Sequence, residues 1–336
     1  MTVGLRTNLK CVAFLAIVCI ASGQVLETPK GQVEFIGLKL WNAKYLYEKL
    51  AEIDPHNPLC MVGLEKLGFA AFSVKKELQG DRMFTLVTVV EPQFSGRIKR
   101  RPAPPDELPE VERWSDVLES ITHSPNDYMI ALQLYDYHLG GKKETVLQEL
   151  GAFLDPAITK KIWSDLSKLN GNKDKELAAW IIMNDRNIKN RIAAASVLSN
   201  FHQSDSTWWA LMDAMRYDDM VGNATDGLLT ALSRGFPREL DWTPMAVSIK
   251  ALLDGTNPTH FLTTVRVLIQ TRIGPRFAAP LLHNGGSLLI DYLRASREQE
   301  RAPVRRLLIR LAGKDLGSDP TAWATWISSL CKSERP

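Results

Sequence analysis

Cysteine and histidine are scarce in this sequence of 336 residues, which contains four cysteines and six histidines. No two histidines lie three or four positions apart, so no helix presents a paired metal site. The CxxC, CxxCH and HExxH motifs are absent, as are GxSxG and the phosphate-binding P-loop. The sequence therefore predicts no metal, no cofactor and no catalytic residue, and it favours a binding protein over an enzyme.

Excess charge of one sign is also lacking. The chain has 41 basic and 38 acidic residues, a formal net charge of +3. Two of the basic residues, Arg6 and Lys10, belong to the N-terminal segment discussed next, and without them 39 basic residues face 38 acidic ones, a net charge of +1. Nucleic-acid-binding domains carry a marked basic excess, so we expect no nucleic-acid partner.

Long apolar runs are missing except near the N-terminus. Residues 1–10 contain two basic side chains and no acid, residues 11–21 are uninterruptedly apolar, and residues 21–23 are the small residues Ala-Ser-Gly. A basic stretch, an apolar stretch and a small-residue site in this order are typical of a secretory signal peptide. As a helix the apolar run rises about 16 Å, half of a ~30 Å hydrocarbon core, so we expect no membrane span in the mature chain.

We therefore predict a signal peptide over residues 1–23, a mature chain that begins at Gln24, and a periplasmic or extracellular location. The alternative is a buried N-terminal helix of a cytosolic protein. Lipoprotein anchoring through Cys19 is disfavoured, because Val18 stands where such sites need a small residue.

Two cysteines, Cys60 and Cys331, remain after removal of the signal. In an oxidising compartment they could form a disulfide. They lie near opposite ends of the mature chain, and an elongated fold would hold them far apart. The sequence favours two free thiols and leaves the disulfide as the alternative.

Residues 24–95 are predicted to form a mixed segment. Residues 84–90 (FTLVTVV) are rich in β-branched side chains and are the clearest strand candidate. The Gly80-Asp81 pair before them predicts a β-hairpin with residues 72–78. Residues 62–72, apolar and rich in small side chains, are interpreted as a helix.

Residues 96–110 are predicted to be a linker. Four basic residues are followed by four prolines: Arg97, Lys99, Arg100, Arg101, Pro102, Pro104, Pro105 and Pro109. Proline removes a backbone donor and fixes φ, so neither a helix nor a sheet continues through this stretch. Since no aromatic residue alternates with the charges, we interpret the segment as a solvated linker.

Residues 111–331 are predicted to be helical throughout. Apolar residues recur at helical spacing, with Asp, Asn, Thr or Pro at helix starts and Gly at helix ends. Alternate helices begin near residues 188, 220, 258 and 301, so they are 32, 38 and 43 residues apart. Two short helices in every 30–45 residues is the period of a helical solenoid, in which neighbouring pairs bury each other's apolar faces.

Three windows carry a more specific pattern: Asp-Asp-Met-Val-x-x-Ala-x-x-x-Leu-x-x-x-Leu at 218–232, Arg-Ile-x-x-Ala-x-x-Leu at 191–198, and Ala-Pro-Val-Arg-x-x-Leu at 302–308. Residues 311–326 are similar to the closing segment of many bacterial HEAT-repeat proteins. Over residues 177–331 the chain resembles the HEAT-repeat family. The resemblance implies a mainly α fold, an irregular right-handed α-solenoid of antiparallel helix pairs, whose concave face suits a protein partner.

The resemblance does not extend to the iron-binding HEAT enzymes, because their His-Glu pairs are missing here. Solenoids bind partners along a curved face, and Trp and Arg are enriched among interface anchors. On these grounds we predict a partner-binding surface that contains Trp209, Arg216, Arg297, Arg301 and Trp326.

Two charged clusters have simpler interpretations. The Arg-rich stretch 294–310 alternates with acidic residues, which favours an ion-paired helix face over an anion site. Asp218 and Asp219 favour a helix N-cap over a calcium site, because a carboxylate complements the helix dipole there.

Together these features predict an exported helical-repeat scaffold that binds a protein or peptide partner and performs no catalysis. The alternative is an extracytoplasmic enzyme with its active site in or next to residues 24–95, the non-repeat segment that contains His56. The sequence leaves the oligomeric state and the partner's identity open.

Overall fold

The structure, a computed structural model, describes residues 24–141, 155–217 and 219–330. This part of the chain is mainly helical, with one small four-stranded mixed sheet on its N-terminal side. The mainly α prediction is thereby confirmed. The predicted signal peptide, the helix expected around residues 146–153, Asp218 and Cys331 lie outside the described residues.

The sheet consists of two hairpins placed side by side. Strand β1 (Gln24–Thr28) pairs antiparallel with β2 (Gly31–Ile36), and β3 (Ala71–Gln79) pairs antiparallel with β4 (Arg82–Val90). Because β2 runs parallel to β4, the strand order is β1-β2-β4-β3. The hairpin predicted at Gly80-Asp81 is confirmed, and the β1–β2 hairpin is an addition to it.

Two helices connect β2 to β3 and cover one face of the sheet. Helix α1 (Ala43–Ile53) is capped by Asn42, whose side chain accepts hydrogen bonds from the first-turn amides. Helix α2 (Met61–Lys66) is shorter than the helix predicted over residues 62–72. That prediction is wrong at its C-terminal end, because Gly68 turns the chain with a φ of 78° and the sequence continues into β3.

The central strand β4 is buried on both faces. Its side chains Phe84 and Leu86 join the core of the helical part, whereas Val87 and Val89 pack beneath α1 and α2. A strand covered on both sides needs apolar residues on both sides, which explains the unbroken run FTLVTVV. The sheet is thus a middle layer between two helices and the remainder of the chain.

The remaining helices follow after residue 114. They are α3 (Ser115–His123), α4 (Pro125–Gln133), α5 (Tyr135–Leu139), α6 (Pro156–Ser167), α7 (Asn172–Asn184), α8 (Ile188–Ser199), α9 (Asp205–Ala214), α10 (Met220–Gly235), α11 (Ala246–Leu253), α12 (Phe261–Gln270), α13 (Ala278–Leu282), α14 (Ser287–Leu293), α15 (Glu298–Ala312) and α16 (Pro320–Leu330). Helix α10 packs against α8, α9, α4 and α12 and occupies the centre of the helical part.

Local signals at helix starts act as predicted. Asp219 caps α10, where its side chain accepts a hydrogen bond from the Val221 amide. Pro156 occupies the first turn of α6, behind the N-cap Asp155. In the part of the chain that the structure describes, no helix combines the length and the hydropathy that crossing a bilayer demands.

Residues 97–109, here called the strap, belong to the linker predicted over residues 96–110. Most of them are exposed, but the strap also docks on the helices, to which it is hydrogen-bonded near its start and near its end. At its start, the Arg97 guanidinium donates to the Ser287 hydroxyl, and the Lys99 amide donates to the Thr256 hydroxyl at 2.9 Å.

Farther along, the strap contacts Arg216 and then Arg186, which come before Thr256 and Ser287 in the sequence. The Arg101 amide donates to the Arg216 carbonyl at 3.1 Å, and the Arg186 amide donates to the Asp106 carbonyl at 2.6 Å. The strap therefore carries the chain from the sheet, across the helices, to the beginning of α3. Its prolines exclude regular structure, as predicted, but they do not prevent docking.

Candidate functional site

The far end of the strap is held by two buried polar side chains. The Asp185 carboxylate accepts the Leu108 amide at 3.0 Å, and the Asn190 side-chain amide donates to the carbonyls of Leu108 and Pro109. Asp185 and Asn190 are also bonded to each other at 2.6 Å, and both are fully buried. A carboxylate so deeply buried is costly unless it is hydrogen-bonded, so this pair holds the strap end firmly.

The near end is held by a charged cluster. The Arg101 guanidinium binds the Asp213 carboxylate at 2.5 Å, and the Arg216 guanidinium binds the other oxygen of Asp213 at 2.9 Å. Asp213 accepts a third bond from the Ser248 hydroxyl at 2.6 Å. Arg216 also donates to the Lys99 carbonyl, which joins the strap backbone to the end of α9.

Between these two attachments the strap crosses over a cavity of about 540 Å³, here called the strap groove. Proline nitrogens cannot donate hydrogen bonds, so the middle of the strap has few groups with which to bind the helices. The residues that line the groove are Arg101, Pro102, Ala103, Pro104, Pro105, Asp106, Leu108, Trp180, Met183, Asn184 and Arg216. The groove therefore combines the apolar surfaces of the prolines, Trp180 and Met183 with the polar groups of Arg101, Arg216, Asp106 and Asn184.

Trp180 is the largest side chain in the groove. It lies on α7 and is 50% exposed, although α7 buries Ala178, Ile181 and Ile182 on its other side. Large exposed indoles are uncommon, and Trp is enriched where proteins bind partners. Trp180 thus presents an apolar surface to solvent beside the prolines of the strap.

The polar groups of the groove are few. Among its described lining residues there is no serine, cysteine, histidine or lysine, and Asp106 is the one carboxylate. Its polar groups are two guanidiniums, one carboxylate and one side-chain amide. These groups suit hydrogen bonds to a polypeptide backbone or to polar side chains.

Of the five side chains predicted to form a partner surface, Arg216 is the one that lines the strap groove. Trp209 lies on α9 and donates its indole N–H to the Asp241 carbonyl at 2.9 Å. Trp326 on α16 packs edge-on against Trp323, with ring centroids 6.0 Å apart. Both tryptophans are partly buried and packed against the helical core.

The two other predicted arginines are engaged elsewhere. Arg297 binds Glu77 on β3 at 2.6 Å, and its guanidinium lies 4.1 Å from the centre of the Phe84 ring. Arg301 binds Glu298 one turn away at 3.0 Å. Arg297 therefore joins the sheet to α15, and the contacts of the five residues do not converge on one surface. The ion-paired face expected for the Arg-rich stretch is present.

Trp180 and Met183 were not singled out by the sequence reasoning, although a signal exists. Leu177, Trp180 and Asn184 are spaced three and four residues apart, so they share a helix face opposite to the buried positions. A tryptophan on the polar side of an amphipathic helix was the detectable feature. Its neighbours in the strap could not be inferred, since they lie more than 70 positions earlier.

Two further expectations concern cysteine and metals. Cys60 is a free thiol at the N-cap of α2, and its proposed alternative partner Cys331 lies outside the described residues. Within residues 24–141, 155–217 and 219–330, no three His, Cys, Asp or Glu side chains gather as metal ligands would.

No family model matches this sequence, and neither the curated proteins nor the solved structures compared with it include a match.

Proposed function

We propose that this protein is a non-catalytic, helical-repeat scaffold that binds an extended polypeptide segment in the strap groove. The observation that carries the proposal is the half-exposed Trp180 beside a proline-rich strap that is held at both ends. A groove whose walls are already fixed loses little conformational entropy on binding. An apolar side chain of the partner would pack on the indole, and the two guanidiniums and Asn184 would receive its polar groups.

The order of the strap's contacts supports a stacked-repeat arrangement of the helices. Successive strap residues contact Ser287, Thr256, Arg216 and Arg186. These positions are 31, 40 and 30 residues apart, which matches the length of a helix pair in a solenoid. A straight segment that passes along the edge of such a stack would meet one corner of each pair in turn, in reverse chain order. An irregular HEAT-like solenoid accounts for this series.

Export is part of the same proposal. The basic, apolar and small-residue stretches of residues 1–23 support cleavage before Gln24. Strand β1 begins at Gln24, and the Gln24 side chain accepts the Ala43 amide at 2.5 Å. Mass spectrometry of the protein recovered from a bacterial periplasm would show a chain that begins at Gln24, whereas an uncleaved cytoplasmic product would refute export.

The binding proposal is tested with a phage-displayed library of random dodecapeptides, selected on the immobilised mature chain. We expect enriched peptides to share an apolar residue and to bind Trp180→Ala at least tenfold more weakly, as for a buried aromatic anchor. The matched control is Leu177→Ala, which removes another exposed apolar side chain of α7 that does not line the groove.

The proposal is wrong if no peptide family is enriched, or if the enriched peptides bind the Trp180→Ala and Leu177→Ala variants equally well. Circular dichroism of both variants provides the folding control. Since Trp180 is half exposed, neither substitution should change the helical signal.

A further inference from the structure

A second cavity, of about 340 Å³, lies on the sheet beside α1 and the loop that follows it. Its floor consists of two rows of side chains that run across the strands. One row is Val33, Thr85 and Lys76, which are register partners on β2, β4 and β3. The next row contains Gly31 and its partner Met83. This floor is part of the same sheet face that packs against α1 and α2 farther along.

Glycine is required at one point of this floor. Gly31 has a φ of 125°, and a Cβ built on it would lie 1.9 Å from the Met83 carbonyl oxygen. No other residue fits this position without displacing β4. The missing side chain deepens the floor between the two strands.

The walls come from α1 and from the loop that follows it. Tyr47 contributes one wall, and Pro58 and Leu59 contribute another. The Asp54 carboxylate shapes the loop, because it accepts the backbone amides of His56 and Asn57 at 3.1 and 3.0 Å. The loop wall is thus defined by hydrogen bonds within the chain.

The charges at the rim are of one sign. Lys30 and Lys76 line the cavity, and none of the described residues that line it is acidic. The Lys30 ammonium donates to the His56 carbonyl at 2.5 Å, and the Lys76 ammonium lies 3.5 Å from the Asn57 side-chain oxygen. In the described ranges, neither ammonium has a carboxylate oxygen within 4 Å.

Neutral polar groups complete the lining. Thr28, Tyr47 and Thr85 each contribute a hydroxyl, and Asn57 contributes a side-chain amide. Apolar walls with a few polar groups at one side are typical of sites for small molecules, which usually measure about 300–1,000 Å³. This volume, the apolar side chains of Val33, Leu59 and Met83, and charges that are all positive together favour a small anionic ligand with an apolar body.

We propose that this cavity binds a small carboxylic acid with an apolar body, such as a medium-chain fatty acid. The hydrocarbon part packs on Val33, Leu59 and Met83. The carboxylate lies between the ammonium groups of Lys30 and Lys76. This site is separate from the strap groove, with which it shares no lining residue, and it does not depend on a polypeptide partner.

The test uses octanoate, octylammonium and octanol as probes, titrated calorimetrically into the mature chain. We expect octanoate to bind more tightly than octanol, and octylammonium to bind most weakly, since the rim repels a cation. Each lysine should contribute up to about fivefold in octanoate affinity, as for partly exposed ion pairs. The variants Lys30→Gln and Lys76→Gln should therefore weaken octanoate binding, and the double variant should weaken it more than either.

Lys44→Gln is the matched control, because Lys44, on α1, is also exposed but does not line the cavity. It should leave octanoate affinity unchanged. In methyl nuclear magnetic resonance spectra, octanoate should shift the signals of Thr85 and Met83. Equal affinity for the three probes, unchanged octanoate binding in the double variant, or shifts confined to residues outside the cavity would each overturn the proposal.

Discussion

The Glu34 carboxylate accepts two hydrogen bonds from Ser296, one from its backbone amide at 2.6 Å and one from its hydroxyl at 2.7 Å. Glu34 lies on β2 and is fully buried, whereas Ser296 lies two residues before the first residue of α15. This contact joins residues 262 positions apart and attaches the sheet to the last helices of the described chain.

Replacing Glu34 should destabilise this junction. In Glu34→Gln, one oxygen remains as an acceptor, but the new NH₂ group faces donors and leaves a buried polar group unsatisfied. We expect a loss of about 1–3 kcal/mol in the free energy of unfolding, measured by urea denaturation. Glu27→Gln on the exposed side of β1 is the control and should cost less than about 0.5 kcal/mol. Equal midpoints for the two variants would contradict the prediction.

Gly31 and Gly80 form a matched pair of glycines with positive φ. An alanine at Gly31 would clash with the Met83 carbonyl, whereas nothing lies within 4 Å of a Cβ at Gly80. We expect Gly31→Ala to cost about 3 kcal/mol, because it adds overpacking to backbone strain. Gly80→Ala should cost about 1 kcal/mol from strain alone. Thermal or urea denaturation of both variants tests the difference, and similar losses would refute the packing argument.

The stability of the protein should depend on pH through His202. Burial lowers the pKa of this imidazole below its usual range, and the nearby Arg238 guanidinium lowers it further. A group whose pKa is lower in the folded state binds its proton more readily when unfolded. The contribution of neutral His202 to the free energy of unfolding is therefore complete above the usual histidine pKa. It declines as the pH falls through that value.

His202→Phe tests this dependence, because phenylalanine preserves the stacking of ring 202 on Phe236 and cannot be protonated. Urea midpoints measured at pH 8 and at pH 5 should differ less for this variant than for the unmodified chain. His56→Phe, at an exposed loop position, should retain the full difference. If His202→Phe and the unmodified chain lose the same stability on acidification, the assignment is wrong.

The attachment of the strap should depend on Asp185. This carboxylate accepts the amides of Leu108 and Asn187 and the side-chain amide of Asn190. In Asp185→Ala we expect amide hydrogen exchange at Leu108 to accelerate at least tenfold, which corresponds to about 1.4 kcal/mol of lost local stability. Asp319→Ala, which removes an N-cap of α16, is the control and should leave the exchange of Leu108 unchanged.

Elements specified by short-range interactions were predictable. The β3–β4 hairpin depends on a turn at Gly80-Asp81 between two β-rich stretches, and the start of α10 depends on Asp219, two positions from the amide it caps. Signals of this kind act within a few residues, so they can be read from the chain itself.

The β1–β2 hairpin was not predicted. In β2 a glutamate occupies a fully buried position, which obscures the alternation expected of a strand packed on one side. Glu34 is tolerated there because Ser296, far along the chain, satisfies its carboxylate. Burial of a charged group is decided by a partner that sequence spacing does not reveal.

In the strap and its groove, too, the local conformation was predictable from the sequence and the tertiary contacts were not. Proline content alone established that residues 102–109 form neither helix nor strand, since proline lacks the amide donor that both require. Docking of the strap was decided by the buried pair Asp185 and Asn190 and by Arg216, which belong to separate helix corners. The sequence thus determined the local conformations, through caps, turns and periodicity. Only the tertiary structure determined which polar groups became partners, because a buried hydrogen bond depends on distance in space and not on separation along the chain.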